Sequence, residues 1–215
     1  MATGVAAMAV AALLAACGGD SSSDATEPKG NYDVRVTDVS FPTEQLLGQT
    51  SLLRIAVRNT GEKTLPTLAV TISIAGRQGQ TSSLPFGIRD PQPGLAQPDR
   101  PVWVLAATYP RLSGASDPGG ASTSSPKTFS FGPLKPGATT KAVWKLSAVK
   151  AGRFTLLYDI NAGLRGSAKA RTSGDVAPGG SFATEISAAL PDTEVTDSGA
   201  VVEKKQQRQR PEPGE

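Results

Sequence analysis

The sequence predicts an all-β protein: a single immunoglobulin-like antiparallel β-sandwich, preceded by a disordered signal and linker and followed by a disordered tail. Three observations carry this. Apolar and polar residues alternate in stretch after stretch of the central region. Turn sequences bearing Gly or Pro separate those stretches. No part of the core shows a sustained helical period with caps. With 23 Gly and 17 Pro among 215 residues, the composition suits short strands joined by turns.

The chain opens with MATGVAAMAVAALLAA, residues 1–16, an Ala-rich apolar run ending in small residues. This is the pattern of a secretory signal, and it is shorter than the roughly 20 apolar residues of a spanning helix. Leu14-Ala15-Ala16-Cys17 resembles the bacterial lipobox, and Cys17 is the single cysteine of the chain. The resemblance implies that a diacylglycerol is joined to Cys17 and that the signal is cut just before it. A thiol is alkylated only where it reaches the membrane surface, and the apolar run carries it there. Acyl-chain burial then retains the protein at the bilayer, at about 0.8 kcal/mol per methylene. The pattern departs in one respect. Signals carry Lys or Arg before the apolar run, whereas the first basic residue here is Lys29. A translation start upstream of Met1 would account for this. Residues 17–30 then form the lipidated cysteine and a flexible Gly/Ser/Asp linker.

The folded region is read as residues 31–190. In NYDVRVTDV, Tyr32, Val34 and Val36 alternate with Asp33, Arg35 and Thr37. In SLLRIAVRN, Leu53, Ile55 and Val57 alternate with Arg54, Ala56 and Arg58. TLAVTISIA sets Leu68, Val70, Ile72 and Ile74 on one face. In KAVWKLSAV, Ala142, Trp144 and Leu146 alternate with Lys141, Val143 and Lys145. RFTLLYDIN gives Phe154, Leu156, Tyr158 and Ile160, and a weaker strand contains Phe182, Thr184 and Ile186. Shorter candidates lie at 102–107, 127–132 and 166–171. Turns are expected at NTGEK (59–63), KPGA (135–138), KAGR (150–153) and APGG (177–180), with Asn59 capping its own turn and Gly61 at positive φ. Half-buried antiparallel strands of this kind pair as two packed sheets. Residues 78–127, rich in Pro, Gly and Ser, form a long loop insertion. Residues 191–215 read as a disordered tail.

Two stretches carry a resemblance, LLRIAVRNTGEKTLPTLAVTISI (52–74) and LKPGATTKAVWKLSAVKAGRFTLLYDINAGL (134–164). They resemble the immunoglobulin-like modules of bacterial surface proteins, near the CARDB-type adhesion domains. Those modules share an Asn-Thr-Gly strand end, a Pro-Gly turn and a Trp-bearing strand. The resemblance implies extracellular interaction or spacing rather than catalysis.

The chain has no histidine, so the commonest general base and metal ligand are missing. Ser124 and Ser125 have no histidine to activate them. Asp90 and Asp99 read as solvated turn carboxylates, since a calcium loop needs more oxygen ligands at closer spacing. No metal, cofactor or catalytic residue is expected. GLRGSAKAR (163–171) places glycines near basic residues but lacks the ending and helix of a phosphate-binding loop. Trp103 and Tyr109 are read either as an interaction surface or as core anchors beneath the long loop. With a formal charge of +3 and scattered basic residues, nucleic acid is not expected as a partner.

The expected function is that of an extracytoplasmic lipoprotein, held to the bacterial membrane by lipid on Cys17. Its domain binds or positions an unidentified protein or polymer of the envelope without catalysis. The alternative is an accessory subunit that captures a small solute for an envelope transport or enzyme complex.

Overall fold

Alternation along the chain becomes strand pairing in the computed structural model, which describes residues 27–75, 86–87, 101–115, 121–122, 127–199 and 201–203. The strands are β1 (Gly30–Ser40), β2 (Glu44–Leu46), β3 (Thr50–Asn59), β4 (Ala69–Ile74), β5 (Phe86–Gly87), β6 (Trp103–Leu105), β7 (Arg111–Leu112) and β8 (Ala121–Ser122). They continue as β9 (Thr128–Ser130), β10 (Thr139–Ala148), β11 (Gly152–Asn161), β12 (Ala168–Arg171), β13 (Gly179–Ser187), β14 (Thr193–Val195) and β15 (Val201–Glu203). One sheet runs β12-β1-β3-β10-β6-β5, with β7 also on β10. The other runs β2-β13-β11-β4-β9-β8. The two sheets form a β-sandwich, and the immunoglobulin-like all-β class expected from the sequence is the class observed.

The long ladders β1–β3, β3–β10, β11–β13 and β4–β11 are antiparallel. Three short parallel pairs lie at the sheet margins: β1–β12, β2–β13 and β5–β6. Two of these follow from the path of the chain. It crosses to the second sheet at β2 and returns at β3, then crosses back for β12 and returns at β13. A strand entering from the other sheet docks at a margin in the direction its crossing leaves it.

The core has two tryptophan centres, both fully buried. Trp144 on β10 meets the edges of Phe129 and Phe131, at centroid distances of 5.9 and 5.5 Å. Trp103 on β6 meets Phe41 at 5.5 Å and Phe154 at 6.0 Å. Each tryptophan thus ties the first sheet to aromatic rings on or beside the second. Such edge-to-face contacts add to the gain from area burial. The Trp103 indole also donates a 3.0 Å hydrogen bond to the Gln45 side chain on β2.

Turn chemistry follows the sequence at three of the four sites. Gly137 and Gly152 have φ of 73° and 140°, which L side chains rarely adopt. Asn59 closes its turn as expected: Oδ1 accepts from Gly61 N at 3.0 Å, and Nδ2 donates to the carbonyls of Lys63 and Leu134, each at 2.8 Å. Gly61 itself does not have the expected positive φ. A Cβ there would stand 3.4 Å from the Asp33 Cβ, so closeness to β1 is what bears on this position. In APGG, Gly179 and Gly180 open β13.

Within 191–215, expected as a disordered tail, β14 and β15 instead pair antiparallel, Thr193 with Glu203 and Val195 with Val201. All three residues of β14 are exposed, as is Val202, so β14 is held by its ladder rather than by burial. No helix among the described residues is long and apolar enough to cross a membrane.

Candidate functional site

β1, β3 and β10 lie side by side, and their alternation divides two kinds of residue between two faces. Val34, Leu53, Ile55, Val57, Ala142, Trp144 and Leu146 are buried in the core. The intervening positions look outward: Arg35 and Thr37 on β1, Arg54 and Arg58 on β3, Lys141 and Lys145 on β10. Pairing makes these neighbours. Arg35 is opposite Arg58, and Arg58 is opposite Thr139. Arg54 is opposite Val143, diagonal to Lys141 and Lys145.

These three strands carry five cations against the carboxylates of Asp33 and Asp38. That excess is as large as the formal charge of the whole chain, +3. Lys141 is paired with Asp38 at 2.8 Å. Arg35, Arg54, Arg58 and Lys145 form no ion pair among the described residues. The opposite sheet is different. Its outward charges on β4, β11 and β13 are Arg153, Asp159 and Glu185, with Arg153 and Glu185 paired at 3.1 Å. The sandwich therefore has one basic face, and the other sheet, which also carries exposed Glu44 on β2, has no such excess of cations.

The basic face has relief. A cleft of about 300 Å³ lies at the Arg35–Arg58 pair, lined also by Thr37, Asn59, Thr60 and Gly137. Further along β3, β1 stops at Ser40 and crosses to the other sheet. The notch it leaves, about 750 Å³, is open to solvent and lined in part by Val39, Phe41, Thr50, Arg54 and Phe182. Arg58 lies four positions beyond Arg54, or about 13 Å along the strand.

The residues singled out in the sequence are distributed differently. Trp103 is fully buried in the core, which corrects its reading as an interaction surface. Alternation in VWVL left the choice of buried residue open, and the Gln45 acceptor together with Phe41 and Phe154 settles it. Tyr109 is half-buried with the Arg111 guanidinium 4.4 Å above its ring, a cation–π contact that covers one face. The 163–171 loop does bind an anion, but from its own chain: Arg165 N and Ala168 N donate to the Glu27 carboxylate at 2.8 and 2.9 Å. Leu14, Ala15, Ala16 and Cys17 lie outside the described residues, as do Asp90 and Asp99. Among the described residues, no group of three or more His, Cys, Asp or Glu is placed to hold a metal.

Sequence reading missed the basic face although its signal was present. The polar positions of three alternating strands are rich in Arg and Lys, but which strands lie together is a long-range property.

No family model matches the chain, and no curated protein matches it. Solved structures do. The chain is similar to the CARDB domain of a Pyrococcus furiosus protein in complex with di-metal ions, at 9% identity and a TM-score of 0.42, over 74% of this chain and 96% of that one. It is similar to native alpha-2-macroglobulin from Escherichia coli at 17% identity and a TM-score of 0.40, over 75% of this chain and 17% of that one. AvmM, whose structure is described as that of a catalyst of macrocyclization in alchivemycin A biosynthesis, matches at 13% identity and a TM-score of 0.42, over 74% and 93%. A CARDB domain is thus among the structural neighbours.

Proposed function

We propose that the protein is an extracytoplasmic lipoprotein, anchored through acylated Cys17, whose domain binds or positions an acidic protein or polymer of the cell envelope. The reading is non-catalytic. The observation that carries it is the one-sided charge: Arg35, Arg54, Arg58 and Lys145 stand outward on one sheet without ion-pair partners among the described residues. A face of one sign steers and retains partners of the opposite sign.

The anchor and the face work together in this reading. Ten residues separate Cys17 from Glu27, a reach of at most about 36 Å when fully extended. The chain enters the domain at β1, itself a strand of the basic face. The face is therefore held close to the membrane, among envelope components.

Two measurements test this. Intact mass of the protein from its host's membrane fraction should show a chain beginning at Cys17 with added acyl mass, absent from Cys17→Ala. The Cys17→Ala chain, which has no lipid to hold it, should co-sediment with isolated envelope at low salt and be released as salt rises, because outward charges are screened over about 8 Å at physiological ionic strength. An unlipidated chain that keeps residues 1–16, or no salt-sensitive retention, would refute the proposal.

A further inference from the structure

We infer that the cleft between Arg35 and Arg58 is a phosphate seat, which takes one phosphate monoester group of an acidic envelope polymer. This rests on the function proposed above and names the chemistry its partner presents.

The argument starts from a conflict. Arg35 and Arg58 are direct register partners on adjacent strands, on the same outward face. Like charges directly opposite each other destabilise a sheet. No carboxylate among the described residues is paired with either guanidinium. The conflict is relieved by an anion between the two side chains, where the surface forms a cleft of about 300 Å³.

The lining selects the anion. One guanidinium already satisfies a planar carboxylate through paired N–H bonds, which would leave the second arginine uncompensated. A phosphate monoester carries about −1.5 to −2 charge at pH 7 and spreads it over three acceptor oxygens. That matches two guanidiniums, with the Thr60 hydroxyl as a further donor at the rim, while the Thr37 hydroxyl donates to the Ala56 carbonyl at 3.4 Å. The polymer follows from what lies beyond the cleft. Arg54 and Lys145 continue the unpaired positive charge along β3 and β10, so a chain of repeated anions is accommodated where an isolated ion would meet only the seat.

The test uses the full chain in a detergent of neutral headgroup, titrated with inorganic phosphate and, separately, with acetate. Amide NMR shifts should be confined to residues 35, 37, 58, 60 and 137, with phosphate binding more tightly than acetate. Changing both arginines, Arg35→Lys and Arg58→Lys, keeps charge but removes the planar fork, and should weaken phosphate binding about tenfold. Arg153→Gln, on the opposite sheet, should leave phosphate binding unchanged. Acetate binding as tightly as phosphate, shifts spread evenly over residues 54 and 145, or an unchanged affinity in the double variant would overturn the seat. Tighter binding to vesicles of phosphatidylglycerol than to long-chain polyphosphate would overturn the polymer. The two proposals fail separately: salt-sensitive envelope retention without cleft shifts sinks only the seat, while cleft shifts without retention sink only the function.

Discussion

The Glu27 carboxylate fills the space that a side chain at Gly163 would need. A Cβ on Gly163 would overlap the Glu27 carboxylate, which is held by the amides of Arg165 and Ala168. The contact fixes the residue where the linker meets the domain, beside the β1–β12 pair. Gly163→Ala should expel the carboxylate and cost about 1–3 kcal/mol, as overpacking does. Glu27→Gln should cost about 1 kcal/mol by weakening the charge-assisted bonds. Both should speed hydrogen exchange at Arg165 and Ala168. Unchanged exchange there would show that the contact does not persist in solution.

Gln45 matters because Trp103 is buried. It is itself buried, and its Oε1 accepts the indole N–H. Gln45→Leu strands the donor and Trp103→Phe strands the acceptor, so each should lose about 1–3 kcal/mol in denaturant unfolding. The double variant should lose less than the sum of the two. Strict additivity would mean that the bond contributes nothing.

Tyr158 and Gly180 are paired across β11 and β13. A Cβ on Gly180 would stand 2.6 Å from the Tyr158 Oη and 2.8 Å from ring carbons, so Gly180→Ala should displace the ring and destabilise the fold by about 1–3 kcal/mol. Burial also pushes the Tyr158 hydroxyl above its usual value of 10.0. Its folded pKa exceeds its unfolded one, so the folded state holds the proton longer. The resulting contribution to stability is complete below about pH 10 and declines as pH rises through the folded value. Tyr158→Phe should flatten that alkaline decline, which pH-dependent unfolding measures directly.

The limits of sequence reading are visible in particular residues. Val34, Leu53, Ile55, Trp144 and Ile160 declared their inward faces by alternation, and the observed core contains them all. Arg35, Arg54, Arg58 and Lys145 declared only that they point outward. That they share one surface depends on β1, β3 and β10 being neighbours, which local pattern does not encode. Gln45 sits in a three-residue strand, too short to show a period. Glu27 lies in a linker whose composition signals disorder, and its partners are backbone amides, which have no sequence signature. The β14–β15 pair escaped for a related reason: its strands are three residues each and all of β14 is exposed, so no buried face marks that strand.

The basic face is the central claim, and site-specific photo-crosslinking in the host tests it most directly. Thr139 lies outward on β10 opposite Arg58, and Ala183 lies outward on β13 in the other sheet. A photoreactive residue at position 139 should yield adducts with an envelope component, while one at 183 should yield none. Changing Arg54, Arg58 and Lys145 to Gln should abolish the adducts from 139. Equal adducts from both positions, or adducts from 139 that survive those changes, would contradict the account.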